Sequence, residues 1–175
     1  IPCDLTDFDR LDNLGPPLLE RFGKLDIFVG NAAILGTMTP LIQYDAKAWQ
    51  EVFDVNVHAN WRLMRVVDPL LRLSDAGRAI LVTSAAARHP KAYWGAYAVT
   101  KSALETMTQV WAAGRANTDV RVNLLSPGAT RTEMRAAAFP GEDPMTLKTP
   151  DDVTDAFLEL ASADCQRHGE MVEVA

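Results

Sequence analysis

Ala79-Ile80-Leu81-Val82-Thr83-Ser84 is an apolar run that closes on two hydroxyls. A short run without polar alternation reads as a strand buried on both faces, as in a parallel sheet. Ser84 then stands at the C-terminal end of the strand, the edge at which open α/β sheets bind their ligands. Further on comes Gly95-Ala96-Tyr97-Ala98-Val99-Thr100-Lys101, the start of a helical pattern. Tyr97 and Lys101 are four residues apart, so on a helix they share one face. A free phenol has a pKa of about 10 and keeps its proton at neutral pH. A cation beside it stabilises the phenolate and lowers that value. The spacing therefore predicts a tuned acid/base pair, and the topology predicts that Ser84, Tyr97 and Lys101 converge at one mouth. An amphipathic helix with a solvated lysine would show the same pair, so the pair alone does not separate the two readings.

The same alternation extends in both directions. Residues 25–31 read as a second buried strand, residues 120–125 as a third ending at Ser126-Pro127-Gly128, and residues 171–174 as a short last one. Residues 1–3 read as the end of a strand. Residues 7–22 have a helical pattern with Thr6 or Asp7 as N-cap, broken at Pro16-Pro17 into two short helices. A long helix is expected over residues 45–73, where Trp49, Val52, Phe53, Asn56, Val57, Asn60, Leu63, Met64 and Val67 keep the helical period and Pro69 kinks the last turns. A second long helix covers residues 95–116. Thr149-Pro150-Asp151-Asp152 opens another, with proline in the first turn and acids at the positive dipole end. Residues 34–44 read as an irregular loop, and residues 130–149 as a mobile segment with Pro140, Gly141 and Pro144. Strands alternating with helices predict an α/β, doubly wound parallel sheet in a three-layer αβα arrangement of Rossmann type. The whole span 1–175 reads as part of one such domain.

The sequence has 175 residues, a net charge of −6, 48% hydrophobic and 23% charged residues. That is ordinary for a globular chain. The acidic balance argues against a nucleic-acid partner, which needs clustered Lys and Arg. The apolar runs fall well short of the roughly 20 residues that cross a bilayer, and no signal-peptide pattern stands at the start. Cys3 and Cys165 are far apart and match no metal spacing. His58, His89 and His168 are scattered, so no metal is expected. The expectation is a cytoplasmic chain with a small-molecule ligand and no membrane partner.

Several further motifs stand in order along the chain. Asp4-Leu5 follows the first strand. Asn31-Ala32-Ala33 follows Asp26-Ile27-Phe28-Val29-Gly30. Asp54-Val55-Asn56 lies in the first long helix, and Pro127-Gly128-Ala129-Thr130-Arg131-Thr132 follows the third buried strand. With Ser84 and the Tyr97–Lys101 pair, these motifs resemble the short-chain dehydrogenase/reductase family over nearly the whole chain. The resemblance implies an NAD(P)-dependent enzyme that moves hydride between a nicotinamide and a carbonyl or secondary alcohol. Tyr97 would be the general acid/base. Lys101 would lower its pKa and bond the nicotinamide ribose. Ser84 would bond the substrate oxygen, and Asn56 would hold a water linking Lys101 to solvent. Asp4 and Leu5 would contact adenine, and Asn31, Ala32 and Ala33 would brace the adenosine half. Pro127, Gly128, Thr130 and Thr132 would face the carboxamide and phosphates. The matched motif departs from the family at Ala32-Ala33, where a Gly is usual.

The resemblance also points to what precedes Ile1. The family carries two further βα units and a Gly-rich pyrophosphate turn before this point, and no such turn occurs here. The sequence is therefore expected to be an N-terminally incomplete piece of a longer protein, because strands 1 and 2 of the family lie between the strands matched by residues 1–3 and 26–31. The choice between NAD and NADP is made in that region. The segments 85–96 and 133–149 should border the substrate, with Ala86 and Ala87 leaving space beside Tyr93 and Trp94. Arg88 and Lys91 read as a solvated loop or as a lure for an acidic substrate. A non-catalytic dinucleotide-binding sensor or scaffold, or an epimerase or dehydratase, could use the same fold. The complete acid/base set favours the reductase, and the short C-terminus disfavours the epimerase. Apolar residues left over on the two long helices suggest a homodimer or homotetramer.

Overall fold

Four parallel strands form one sheet in the order β1-β2-β3-β4: β1 (Ile27–Gly30), β2 (Arg78–Val82), β3 (Arg121–Ser126) and β4 (Met171–Glu173). The structure, a computed structural model, describes residues 1–174. The helices are α1 (Phe8–Asp12), α2 (Gly15–Phe22), α3 (Ala46–Phe53), α4 (Ala59–Leu71), α5 (Gly95–Ala113), α6 (Glu133–Ala138) and α7 (Thr154–Ala161).

Burial of β2 explains the topology. All five of its residues are buried. Ala79 and Leu81 turn to one face and pack with Met64, Val67 and Leu71 of α4, Leu104 of α5, and Val122 and Leu124 of β3. Ile80 turns to the other face and packs with Leu125 and with Leu160 of α7. An apolar run serves both faces because side chains alternate along a strand. The result is the doubly wound, three-layer arrangement expected from the sequence. At the foot of the strand the buried Arg78 donates to the carbonyls of Ser162 at 2.9 Å and Ala163 at 2.6 Å, fixing the turn after α7.

The helix boundaries follow their caps. Asp7, not Thr6, caps α1 by accepting from the Arg10 amide at 3.1 Å. The 7–22 pattern divides, as expected, into the two short helices α1 and α2, and Pro16 and Pro17 lie in the first turn of α2, where a missing amide is harmless. Asp45 caps α3. The long helix expected over 45–73 is present but is divided by a π-turn at Asp54–His58. The chain stays helical through Pro69 to Leu71.

Two expectations are corrected. Residues 1–3 join no strand, because no neighbouring strand among the described residues offers them a hydrogen-bonding edge. The strand expected at 25–31 starts at Ile27 and is only half buried: Ile27 and Val29 are exposed, since β1 is the sheet edge and α7 packs on β2 and β3. The segment 130–149 carries a short helix, α6, and a 3₁₀ turn at Pro144–Thr146. Thr132 caps α6 through the Arg135 amide, and Arg135 pairs with Glu142 to close the turn that follows.

Candidate active site

The C-terminal ends of β1, β2 and β3 open into a cavity of about 680 Å³. Ligands of doubly wound sheets bind at this edge. Ser84 lies two residues beyond β2, in extended conformation. Its hydroxyl accepts from the Ala86 amide at 3.2 Å and caps the short 3₁₀ turn Ala85–Ala87. Tyr97 and Lys101 lie on the first turns of α5, one above the other as their spacing requires. All three line the cavity, together with Asn31, Ala32 and Ala33 after β1 and Pro127, Gly128, Thr130 and Thr132 after β3.

The electrostatics differ from the sequence expectation. Lys101 is 3% exposed, and its ammonium donates to the Val82 carbonyl at 2.8 Å. Its nitrogen stands 5.8 Å from the centre of the Tyr97 ring. Burial lowers its pKa to about 8. Burial also pushes the Tyr97 phenol above its ordinary value, with the nearby Ser84 hydroxyl pulling it partly back. Lys101 is thus held by a backbone carbonyl and does not depress the phenol. Desolvation disfavours the charged form of both groups.

Asn56 does not line the cavity. It is fully buried in the π-turn, where its amide oxygen accepts from the Ile34 amide at 2.8 Å. Its amide nitrogen donates to the Ile34 carbonyl at 2.9 Å and to Thr100 Oγ1 at 3.0 Å. Thr100 in turn donates to the Tyr97 carbonyl at 2.9 Å. A short chain of bonds thus ties the loop after β1 to the helix carrying Tyr97 and Lys101. The part of Thr100 escaped sequence reading; its only signal is a hydroxyl next to Lys101 on a helix.

Gly128 has φ +72°, and a side chain there would approach the Val174 carbonyl at 3.0 Å and the Lys148 ammonium at 3.1 Å. Only glycine fits this turn without strain. Thr132 serves first as the cap of α6. Asp4 and Leu5 lie outside the cavity lining. The Asp4 carboxylate accepts from the Thr6 amide and hydroxyl, both at 2.8 Å, and those bonds hold its pKa below the ordinary value. Arg88, expected on a solvated loop or near substrate, is instead an internal tie. It pairs with Glu105 of α5 and Glu173 of β4, and Glu105 also accepts from Thr83 at 2.7 Å. Trp94, Met134, Arg135 and Phe139 complete the far wall, within the segments expected to border the substrate. No cluster of metal-ligating side chains occurs among the described residues, and no described helix is long and apolar enough to cross a membrane.

The residues present suit the nicotinamide half of a dinucleotide. A glycine turn admits close backbone approach, a buried ammonium supplies donors, and a phenol and a hydroxyl face the same space.

Comparisons with known proteins agree with this geometry. The family described as enoyl-(acyl carrier protein) reductase matches residues 1–166. The uncharacterized oxidoreductase YciK of Escherichia coli K12 is 40% identical over 159 residues, 91% of this chain and 63% of that protein. A short chain dehydrogenase from Salmonella enterica serovar Typhi superposes with a TM-score of 0.95 at 39% identity, covering 99% of this chain and 72% of the other. Another, from Escherichia coli CFT073 and complexed with NADPH, gives 0.93 at 38% identity, covering 98% and 72%. The chain thus spans somewhat under two thirds of the length of YciK.

Proposed function

The chain belongs to the short-chain dehydrogenase/reductase family, and on that basis we propose that the protein containing it is an NAD(P)-dependent oxidoreductase acting on a carbonyl or secondary alcohol. The observation that carries the proposal is Ser84, Tyr97 and Lys101 lining one cavity at the C-terminal sheet edge. NADPH is the cofactor favoured, since a solved relative is complexed with it; NAD is the other candidate. When bound, the nicotinamide supplies or accepts the hydride.

The chain's own residues handle the oxygen and its proton. Ser84 donates to the substrate oxygen and fixes it against Tyr97. Tyr97 gives its proton to that oxygen in reduction and takes it back in oxidation. Burial raises the phenol's pKa further, so Tyr97 holds the proton that reduction requires. Lys101, its pKa lowered by burial to about 8, bonds the ribose. Asn56 acts through Thr100 and the loop at Ile34, holding α5 in register. Asn31, Ala32, Ala33, Pro127, Gly128, Thr130 and Thr132 receive the cofactor. The ionised Asp4 accepts from the adenine amine, with Leu5 beside it. The catalytic domain of the longer protein includes residues 1–175 as one unit, and it works as a homodimer or homotetramer in the cytoplasm.

The test is consumption of NADPH by the full-length protein across a panel of ketones and aldehydes. Ser84→Ala should lower kcat about 100-fold, the scale of one lost oxyanion donor, with cofactor affinity unchanged. An unaltered kcat in that variant would remove Ser84 from the mechanism.

A further inference from the structure

On the reductase reading, we infer that the substrate end of the cavity takes a neutral carbonyl compound bearing a ring-sized apolar group, and discriminates against one with a carboxylate beside the carbonyl. Two independent observations on the wall opposite the sheet support this.

The first is aromatic. The Trp94 ring centre lies 5.8 Å from that of Tyr97 and 5.7 Å from that of Phe139. The three rings form a continuous path leading away from the phenol, from the start of α5 to the end of α6. A carbonyl oxygen bonded to Tyr97 would place its substituent along this path. Stacking and edge contacts of a second ring are favourable at such separations.

The second is electrostatic. Arg135 is the one cation on that wall, and its charge is already matched. Its Nε and Nη2 each donate to Glu142 at 2.6 Å, and its guanidinium lies 3.8 Å over the Phe139 ring. The pairing holds the Glu142 carboxyl below its ordinary pKa, so the match persists through the neutral range. The stacked guanidinium therefore belongs to the apolar wall rather than acting as an anion receptor. His89 and Lys91 also line the cavity but are solvent-exposed. Lys101 donates to the Val82 carbonyl beside Tyr97 and, on the reductase reading, faces the cofactor ribose. A carboxylate entering the aromatic path would lose its water and find the stacked guanidinium already paired with Glu142. No Asp or Glu lines the cavity among the described residues, so a cationic group would fare no better.

The reaction balances simply. The carbonyl carbon takes a hydride from the reduced nicotinamide, and the oxygen takes the Tyr97 proton. The ketone becomes a secondary alcohol, the nicotinamide is oxidised, and one proton from solvent restores the phenol.

Acetophenone and benzoylformate separate the alternatives, since they differ by a carboxylate in place of a methyl. With the full-length protein and NADPH, acetophenone should show a kcat/KM at least about tenfold higher. Phe139→Ala and Trp94→Leu should raise KM for acetophenone about fivefold while kcat and NADPH affinity hold; a purely structural role would move all three. Glu142→Gln should release Arg135 and shift the preference toward benzoylformate by about fivefold or more. Equal or better use of benzoylformate by the unmodified protein would overturn the inference and leave the reductase reading intact, as would an unshifted ratio in Glu142→Gln. NADPH left unconsumed with every carbonyl compound would overturn both.

Discussion

Lys101 shows what the site costs the fold. Its ammonium is buried with a single backbone partner, and desolvation brings its pKa from 10.5 to about 8. The sign of the stability effect follows. Below pH 8 both folded and unfolded states are protonated, and the folded state bears the full desolvation penalty. Between pH 8 and 10.5 the folded state binds fewer protons, so stability rises with pH through that window. Urea unfolding at pH 7 to 10 should therefore show the protein gaining on Lys101→Met by up to about 1.4 kcal/mol per pH unit above pH 8; parallel curves would contradict the assigned burial. Turnover has its own dependence. Ketone reduction should fall as pH rises through about 8, where Lys101 loses its proton, whereas alcohol oxidation should rise as the Tyr97 proton becomes easier to remove. A reduction rate still climbing above pH 9 would contradict these roles. The Tyr97–Lys101 pair itself was legible from a spacing of four. The electrostatics were not, because the lysine's partner, the Val82 carbonyl, comes from a strand nineteen residues away.

At the scale of elements, the π-turn Asp54–His58 is the feature the sequence concealed. The apolar period continues through it, so nothing in the pattern marks the extra residue. Its correlate is tertiary: Asn56 bonds both backbone groups of Ile34 and the Thr100 hydroxyl. π-turns commonly accompany functional sites. Asn56→Ala would leave the Ile34 amide and carbonyl unpaired, and the expected loss is about 3 kcal/mol in chemical denaturation. Thr100→Val should cost about 1 kcal/mol and reduce kcat more than it raises KM, because it loosens the Tyr97 turn without touching substrate. Stability unchanged in Asn56→Ala would show that the loop is held by other means. Helix α6 was hidden for a different reason: Pro140 and Gly141 follow it closely, and its Thr132 cap stood among residues read for cofactor contact. By contrast Pro16-Pro17 signalled correctly that the pattern divides into two short helices, the prolines opening the second.

Across the whole molecule, the alternating strands and helices were enough to give the parallel sheet and its open edge. The open edge at β1 was legible too, since the family's strands 1 and 2 would lie beside residues 26–31, and Ile27 and Val29 are exposed there. Surface apolar residues remain on the helix layer: Trp61 and Leu73 on and just after α4, and Val99 and Val110 on α5, are all exposed. Such residues suit an interface between copies, and obligate interfaces bury roughly 2,000 Å² or more. Sedimentation of the full-length protein at micromolar concentration should give a dimer or tetramer. Val110→Lys should shift it toward monomer, since a buried unpaired charge is unfavourable. A clean monomer before mutation would contradict the oligomer.

The most direct test of the central claim is Tyr97→Phe in the full-length protein, assayed for NADPH oxidation with a reducible ketone alongside fluorescence titration of NADPH. The ring stays and only the proton-bearing oxygen is removed, so packing against Trp94 is preserved. The account predicts a fall in kcat of at least about 100-fold with NADPH affinity within about twofold of the parent. Turnover retained at the parent rate, with the cofactor bound normally, would contradict it.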